Sequence, residues 1–143
     1  MTPRQIALVQ ESFRLVLPIR EQAAALFYDR LFTLDPSLRR LFVGTDMGEQ
    51  ARKLMMAIGM VVGGLTRLDQ IIGEVRNLAV RHVGYGVEES HYATVGEALL
   101  WTLEAGLKDA FTAETREAWA EAYTLLSGAM IEAARAGTMR RAS

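Results

Sequence analysis

Along almost the whole chain the apolar residues recur at intervals of three and four, and no segment shows the two-residue alternation of a half-buried strand. That period places side chains on one face of a helix, which restricts the chain to an all-α fold. Its three prolines, at positions 3, 18 and 36, agree with this. Each stands where a helix can begin, and a proline in the first turn forfeits no helical hydrogen bond. Thr2-Pro3 and Asp35-Pro36 both read as a cap followed by a first helical residue.

The spacing predicts a first helix from Pro3 to Val16, with Ile6, Val9, Phe13 and Val16 on one face. A second, after Pro18, carries Leu26, Phe27, Leu31 and Phe32, and a short element covers Pro36 to Phe42. Asp46 with Glu49 resembles a capping box and opens a helix ending near Gly63-Gly64, with Leu54, Ile58, Val61 and Leu65 as its apolar face. Thr66 with Asp69 fits another start signal, after which Ile71, Val75, Leu78 and His82 share one stripe until Gly84 and Gly86 end it. Two longer helices follow at about 88–108 and 113–135; the first carries Tyr92, Val95, Leu99 and Leu103, the second Trp119, Tyr123, Leu126 and Met130. No repeat or low-complexity linker interrupts the pattern, so the expectation is one domain over residues 1–137 and a short disordered tail at 138–143.

Composition narrows the functional classes. Sixteen basic and seventeen acidic residues give a net charge of −1, too little to argue for nucleic acid. The absence of cysteine removes disulfides, zinc–thiolate sites and thiol catalysis, and suits a reducing compartment. Arg4, Glu11 and Arg14 interrupt any signal-peptide-like run. The longest apolar stretch, Leu54 to Leu65, contains three glycines and falls short of the ~20 residues that span a bilayer. A soluble cytoplasmic protein with no membrane partner is expected.

No Gly-x-Ser-x-Gly elbow or phosphate-binding loop occurs. The residues left to carry chemistry are His82 and His91, with Tyr28, Gln50 and Lys53 beside apolar faces. Neutral imidazole offers iron a lone pair on a short, stiff arm, and His82 points where its apolar neighbours point. A histidine in the last turn of a helix can also simply bond terminal carbonyls and interact with the helix dipole.

Several words of the sequence carry a resemblance. They are Phe27-Tyr28-Asp29-Arg30-Leu31-Phe32, Pro36 through Leu41-Phe42, Gln50 with Leu54, Val80-Arg81-His82, His91-Tyr92-Ala93-Thr94-Val95-Gly96, and Ala118-Trp119 with Ala122-Tyr123. In this order and spacing, over nearly all of residues 3–136, the chain resembles the bacterial single-domain globins related to the globin domain of flavohaemoglobins. The resemblance implies a globin fold, helices packed around a pocket for haem b, with His82 as the iron ligand. It makes Phe42 the aromatic against the haem face, Tyr28 and Gln50 the distal pair that donates hydrogen bonds to dioxygen, and Leu54 the wall limiting ligand access. Lys53 and Arg81 are implied partners for the haem propionates, Val87 and Tyr92 line the proximal side, and His91 is structural.

One position departs from the family. Where its members commonly present a glutamate that polarises the proximal histidine, the match places Ala134, and Glu132 lies two residues away, ~200° around a helix. An unpolarised histidine pushes less electron density to iron and favours ligand binding over oxygen–oxygen cleavage. The leading expectation is therefore reversible binding of dioxygen and related diatomic ligands, for storage, transport or scavenging. Nitric oxide dioxygenation with a separate reductase and haem-based gas sensing through a partner are the alternatives.

Overall fold

In the computed structural model, which describes the backbone of residues 1–142 and the side chains of residues 1–136, six α-helices follow one another. They are α1 (Pro3–Val16), α2 (Arg20–Leu34), α3 (Met47–Gly63), α4 (Leu68–Gly84), α5 (Glu89–Leu107) and α6 (Ala113–Ala142). Short 3-10 turns occupy Leu17–Ile19, Pro36–Phe42 and Lys108–Ala110. No strand occurs among the described residues. The last helix runs past its expected end near 135; the tail expected at 138–143 falls where side chains lie outside the described residues, as Ser143 does entirely.

The capping chemistry explains most of the boundaries. Thr2 accepts from the Gln5 amide at 3.1 Å while the Gln5 side chain accepts from the Thr2 amide at 2.9 Å, a reciprocal box that fixes the start of α1. Asp35 accepts from the Ser37 amide at 3.1 Å, and Asp46 from the amides of Gly48 and Glu49. Glu49 does not complete the box expected with Asp46; it pairs with Arg52. Thr66 caps nothing: the residue before α4 is Arg67, without a side-chain cap, and the helix is anchored instead by Ile71 packing into the turn at Gly64.

Three apolar clusters hold the helices together. Phe13 and Trp119, with ring centroids 6.4 Å apart, centre a cluster joining α1, α3, α5 and α6, and the buried Trp119 indole N–H donates to the Ser12 hydroxyl at 2.8 Å. Each such large side chain contributes roughly 1.5–3 kcal/mol through burial. Phe27, Tyr28, Leu31 and Phe32 of α2 form a second cluster with Leu38 and Ala98. A third joins Ile71, Val75 and Ala79 of α4 to Met130 of α6. At the α5–α6 contact Gly96 is required, since a Cβ there would stand 2.8 Å from the Tyr123 ring.

The second and third clusters remain separate. α3 packs on α1 and α2 and α4 packs on α6, but α3 and α4 share no extended interface. The two helices that carry Gln50 and His82 are therefore not packed on each other.

Candidate functional site

One candidate group of residues is built by α2, α3 and the 36–42 turn. Tyr28 is buried on α2, its ring edge-on to Phe27 at 5.0 Å and to Phe42 at 5.5 Å, while Phe32 and Phe42 meet at 5.4 Å. Edge-to-face pairs of this kind add about 0.5–1.5 kcal/mol each and hold the Tyr28 ring in one orientation. Leu54, half-buried, packs against the same cluster. The Gln50 amide, from the first turns of α3, donates to the Tyr28 hydroxyl oxygen at 3.2 Å. Burial pushes the Tyr28 phenol above its ordinary pKa, and the bond from Gln50 only partly offsets this. The phenol therefore stays protonated at neutral pH. Its oxygen is engaged by Gln50, so its own proton is available to a ligand.

The second candidate group lies on α4. His82, half-buried in the last turn, places Nδ1 2.8 Å from the Leu78 carbonyl one turn earlier. Desolvation by burial is the main cause that lowers its pKa, opposed by the bond to Leu78 and supported by nearby Arg81. The imidazole is thus held neutral, with Nδ1–H donating to the carbonyl and the Nε2 lone pair free of that bond. Beyond His82 the chain turns through Gly86, whose φ of 90° favours glycine, and the Val87 amide returns to the His82 carbonyl at 3.1 Å. Tyr85 stands exposed, its ring centroid 6.2 Å from that of His82.

The remaining expected residues fall into three groups. Lys53 on α3 and Arg81 on α4 are exposed, and neither has an ion-pair partner among the described residues. Tyr92 is half-buried against the cluster of Met130 and Leu78, and its backbone carbonyl accepts from the Tyr123 hydroxyl at 2.5 Å. Burial raises the pKa of both tyrosines. His91 lies buried at the start of α5, engaged with Glu88. On α6, Glu132 is exposed and Ala134 half-buried.

The Leu78 carbonyl that orients His82 stands four residues earlier on the same stripe, where helical geometry puts it. Tyr123 is legible in the sequence on an apolar face and among the words of the resemblance, but its hydroxyl as the donor to the Tyr92 carbonyl is not. Behind Leu54 the structure also holds an apolar cavity of about 20 Å³, lined by Phe27, Leu54, Ile58, Leu99 and Trp119 among others. It lies in the core between α1, α2, α3, α5 and α6.

The residues present fit a haem. A planar apolar group with two carboxylates needs apolar walls, an imidazole on one side and cations at the rim. Two unmerged apolar clusters, the neutral His82 and the exposed Lys53 and Arg81 answer that description.

Comparison with known proteins agrees. Residues 25–130 match the family described as Globin. The chain is 31% identical over 134 residues to a flavohemoprotein of Vibrio cholerae, covering 87% of this chain but only 34% of that protein, so it spans about a third of that relative. It is 34% identical over 116 residues to a neuroglobin of Chaenocephalus aceratus, covering 72% of this chain and 73% of the relative. Among solved structures, a bacterial globin from Campylobacter jejuni superposes with a TM-score of 0.82 at 28% identity, over 94% of this chain and 96% of that one. The chain belongs to the globin family.

Proposed function

We propose that this globin binds haem b through Nε2 of His82 and uses it to hold dioxygen reversibly. Haem iron, when bound, supplies an open coordination position for a diatomic gas; the side chains decide how long the gas stays. The single observation that carries the reading is the bond from the Gln50 amide to the Tyr28 hydroxyl oxygen, which leaves the phenol proton free inside an aromatic pocket. Bound dioxygen takes partial negative charge, and a preorganised donor in a dry site stabilises that charge more than water does. Leu54 beside the pair supplies an apolar wall.

On the other side, the Leu78 carbonyl fixes the His82 ring and selects the tautomer that presents Nε2 to the metal. A carbonyl leaves the imidazole neutral, whereas a carboxylate in that role would draw its proton and strengthen the iron bond. With haem bound, Val87 and Tyr92 would close this side, Phe42 would pack on the haem face, and Lys53 and Arg81 would hold the propionates. Purification after haem-supplemented expression tests the proposal: a red protein with a Soret band, whose dioxygen dissociates faster in Tyr28→Phe, is expected. A colourless preparation refutes it.

An alternative use of the same residues is oxidation of nitric oxide to nitrate, as a solved structure of similar fold, that of a putative nitric oxide dioxygenase from Rhodothermus marinus, suggests. That use requires electrons from a reductase. Stopped-flow mixing of the oxygenated protein with nitric oxide, with and without a reductase extract, decides between carriage and turnover. Gas sensing needs a partner that receives the signal.

A further inference from the structure

We propose that Met56 is a site of reversible oxidation by peroxide, and that the neighbouring Arg52 directs the oxygen to one face of the sulfur, so that one sulfoxide epimer predominates. Neither residue belongs to the groups assigned to haem, so the site stands whether or not His82 ligates iron.

Met56 lies on α3 and is 61% exposed, against 36% for Met47, the next most exposed of the described methionines. Met1, Met55 and Met60 are partly buried against the cluster of Phe13 and Trp119, and Met130 is buried in the cluster that joins α4 to α6. Oxidation turns an apolar thioether into a polar sulfoxide, which disrupts a packed core. At Met56 the fold can take the change, because the side chain stands in solvent.

The sulfur is nonetheless held. Nη1 of Arg52, one turn earlier on α3, donates to it at 3.0 Å. The same guanidinium is fixed from its other edge: Nε donates to one Glu49 carboxylate oxygen at 3.2 Å, and Nη2 pairs with the second. Two bonds to one carboxylate set the plane of the guanidinium and so aim the third donor. A thioether sulfur carries two lone pairs, one on each side of the plane of its carbon bonds, and both accept weakly. A donor on one of them leaves the other as the open face.

Oxygen transfer begins when that open lone pair attacks one oxygen of hydrogen peroxide. The S–O bond forms as the O–O bond breaks, sulfur is oxidised by two electrons, and the departing hydroxide takes the proton of the transferred oxygen and leaves as water. The sulfur then bears three different groups and one lone pair, so it is chiral, and the face attacked sets its hand. A sulfoxide oxygen accepts hydrogen bonds better than a thioether, and Arg52 keeps N–H groups that Glu49 does not use, so the new oxygen has a donor at hand.

Thiol-dependent reductases return methionine sulfoxide to the thioether, one class for each epimer. Two thiols become a disulfide and the oxygen leaves as water. A predominant epimer makes oxidised Met56 a substrate chiefly of one class. Leu54 stands two residues earlier, ~200° around the helix, so this cycle of peroxide removal runs on the side of α3 away from it.

The test exposes the purified protein, kept under carbon monoxide to occupy any haem iron, to graded hydrogen peroxide. Digestion and mass spectrometry give the oxidation rate at each methionine. Chromatography separates the two epimeric Met56 peptides, and the reductase class that removes each one identifies it. Met56 is expected to oxidise ahead of Met47, Met55, Met60 and Met130, with one epimer in about two- to fivefold excess, the lower part of the range for one hydrogen bond because sulfur accepts weakly. In Arg52→Leu, Met56 should still oxidise first, because exposure sets the order, but the two epimers should form in nearly equal amounts. Faster oxidation at any of the other four methionines overturns the site. Equal epimers in the parent, or the parental excess retained in Arg52→Leu, overturns the part given to Arg52.

Discussion

Tyr28→Phe removes one oxygen atom from a ring that the structure otherwise holds in place. The ring packs on Phe27, Phe32 and Phe42, so phenylalanine should sit as tyrosine does and the fold should be unaffected. What disappears is the donor that Gln50 leaves free, together with the acceptor for the Gln50 amide. A hydrogen bond to a group carrying charge is worth about 1.5–3 kcal/mol, so dioxygen should leave about ten- to 150-fold faster, with the change in the off-rate. Gln50→Leu leaves the phenol in place but without its orienting partner, and the neutral bond it removes predicts about a two- to tenfold effect. Stopped-flow displacement of dioxygen by carbon monoxide measures both rates. Carbon monoxide takes on little charge, so its own dissociation should change much less, which separates loss of the donor from a general loosening of the pocket. Parental dioxygen rates in both single variants and in the double variant would refute the reasoning.

Three further outcomes follow from other contacts. His82→Ala should lose or greatly weaken haem retention, read from the Soret absorbance after gel filtration, and imidazole added to the buffer should partly restore it. Ala134→Glu should raise the iron–histidine stretch frequency in resonance Raman if the new carboxylate reaches His82, since an acid in that role strengthens the metal bond. Gly96→Ala should destabilise the protein by about 1–3 kcal/mol in urea titrations, because the Cβ would meet a Tyr123 ring whose hydroxyl is already tied to the Tyr92 carbonyl.

The helices were legible because their evidence is local. A period of three and four, a proline in the first turn and an acid or hydroxyl before it are written within one or two turns, and α1, α2, α3 and α5 start close to where those signals stand. Thr66 shows where local evidence stops. Its pattern with Asp69 is a sound cap by composition, yet the chain enters α4 through Arg67, because Ile71 packing into the turn at Gly64 decides the entry. Glu49 shows the same competition, with Arg52 on its own helix offering a partner that the backbone of Asp46 does not displace.

The site divides along the same line. His82 was legible because it shares a stripe with Leu78, and the carbonyl that holds its Nδ1 follows from helical geometry alone. The Tyr28–Gln50 bond joins residues 22 positions apart on two helices, and only the packing of α3 on α2 creates it. No spacing rule contains that distance, which is why the resemblance to globins rather than periodicity named the pair. His91 is the opposite case: its partner is only three residues away, but histidine is not among the usual capping side chains, so a composition rule passes over it. What makes it readable in the structure is the acceptor nitrogen 2.9 Å from the Glu88 amide.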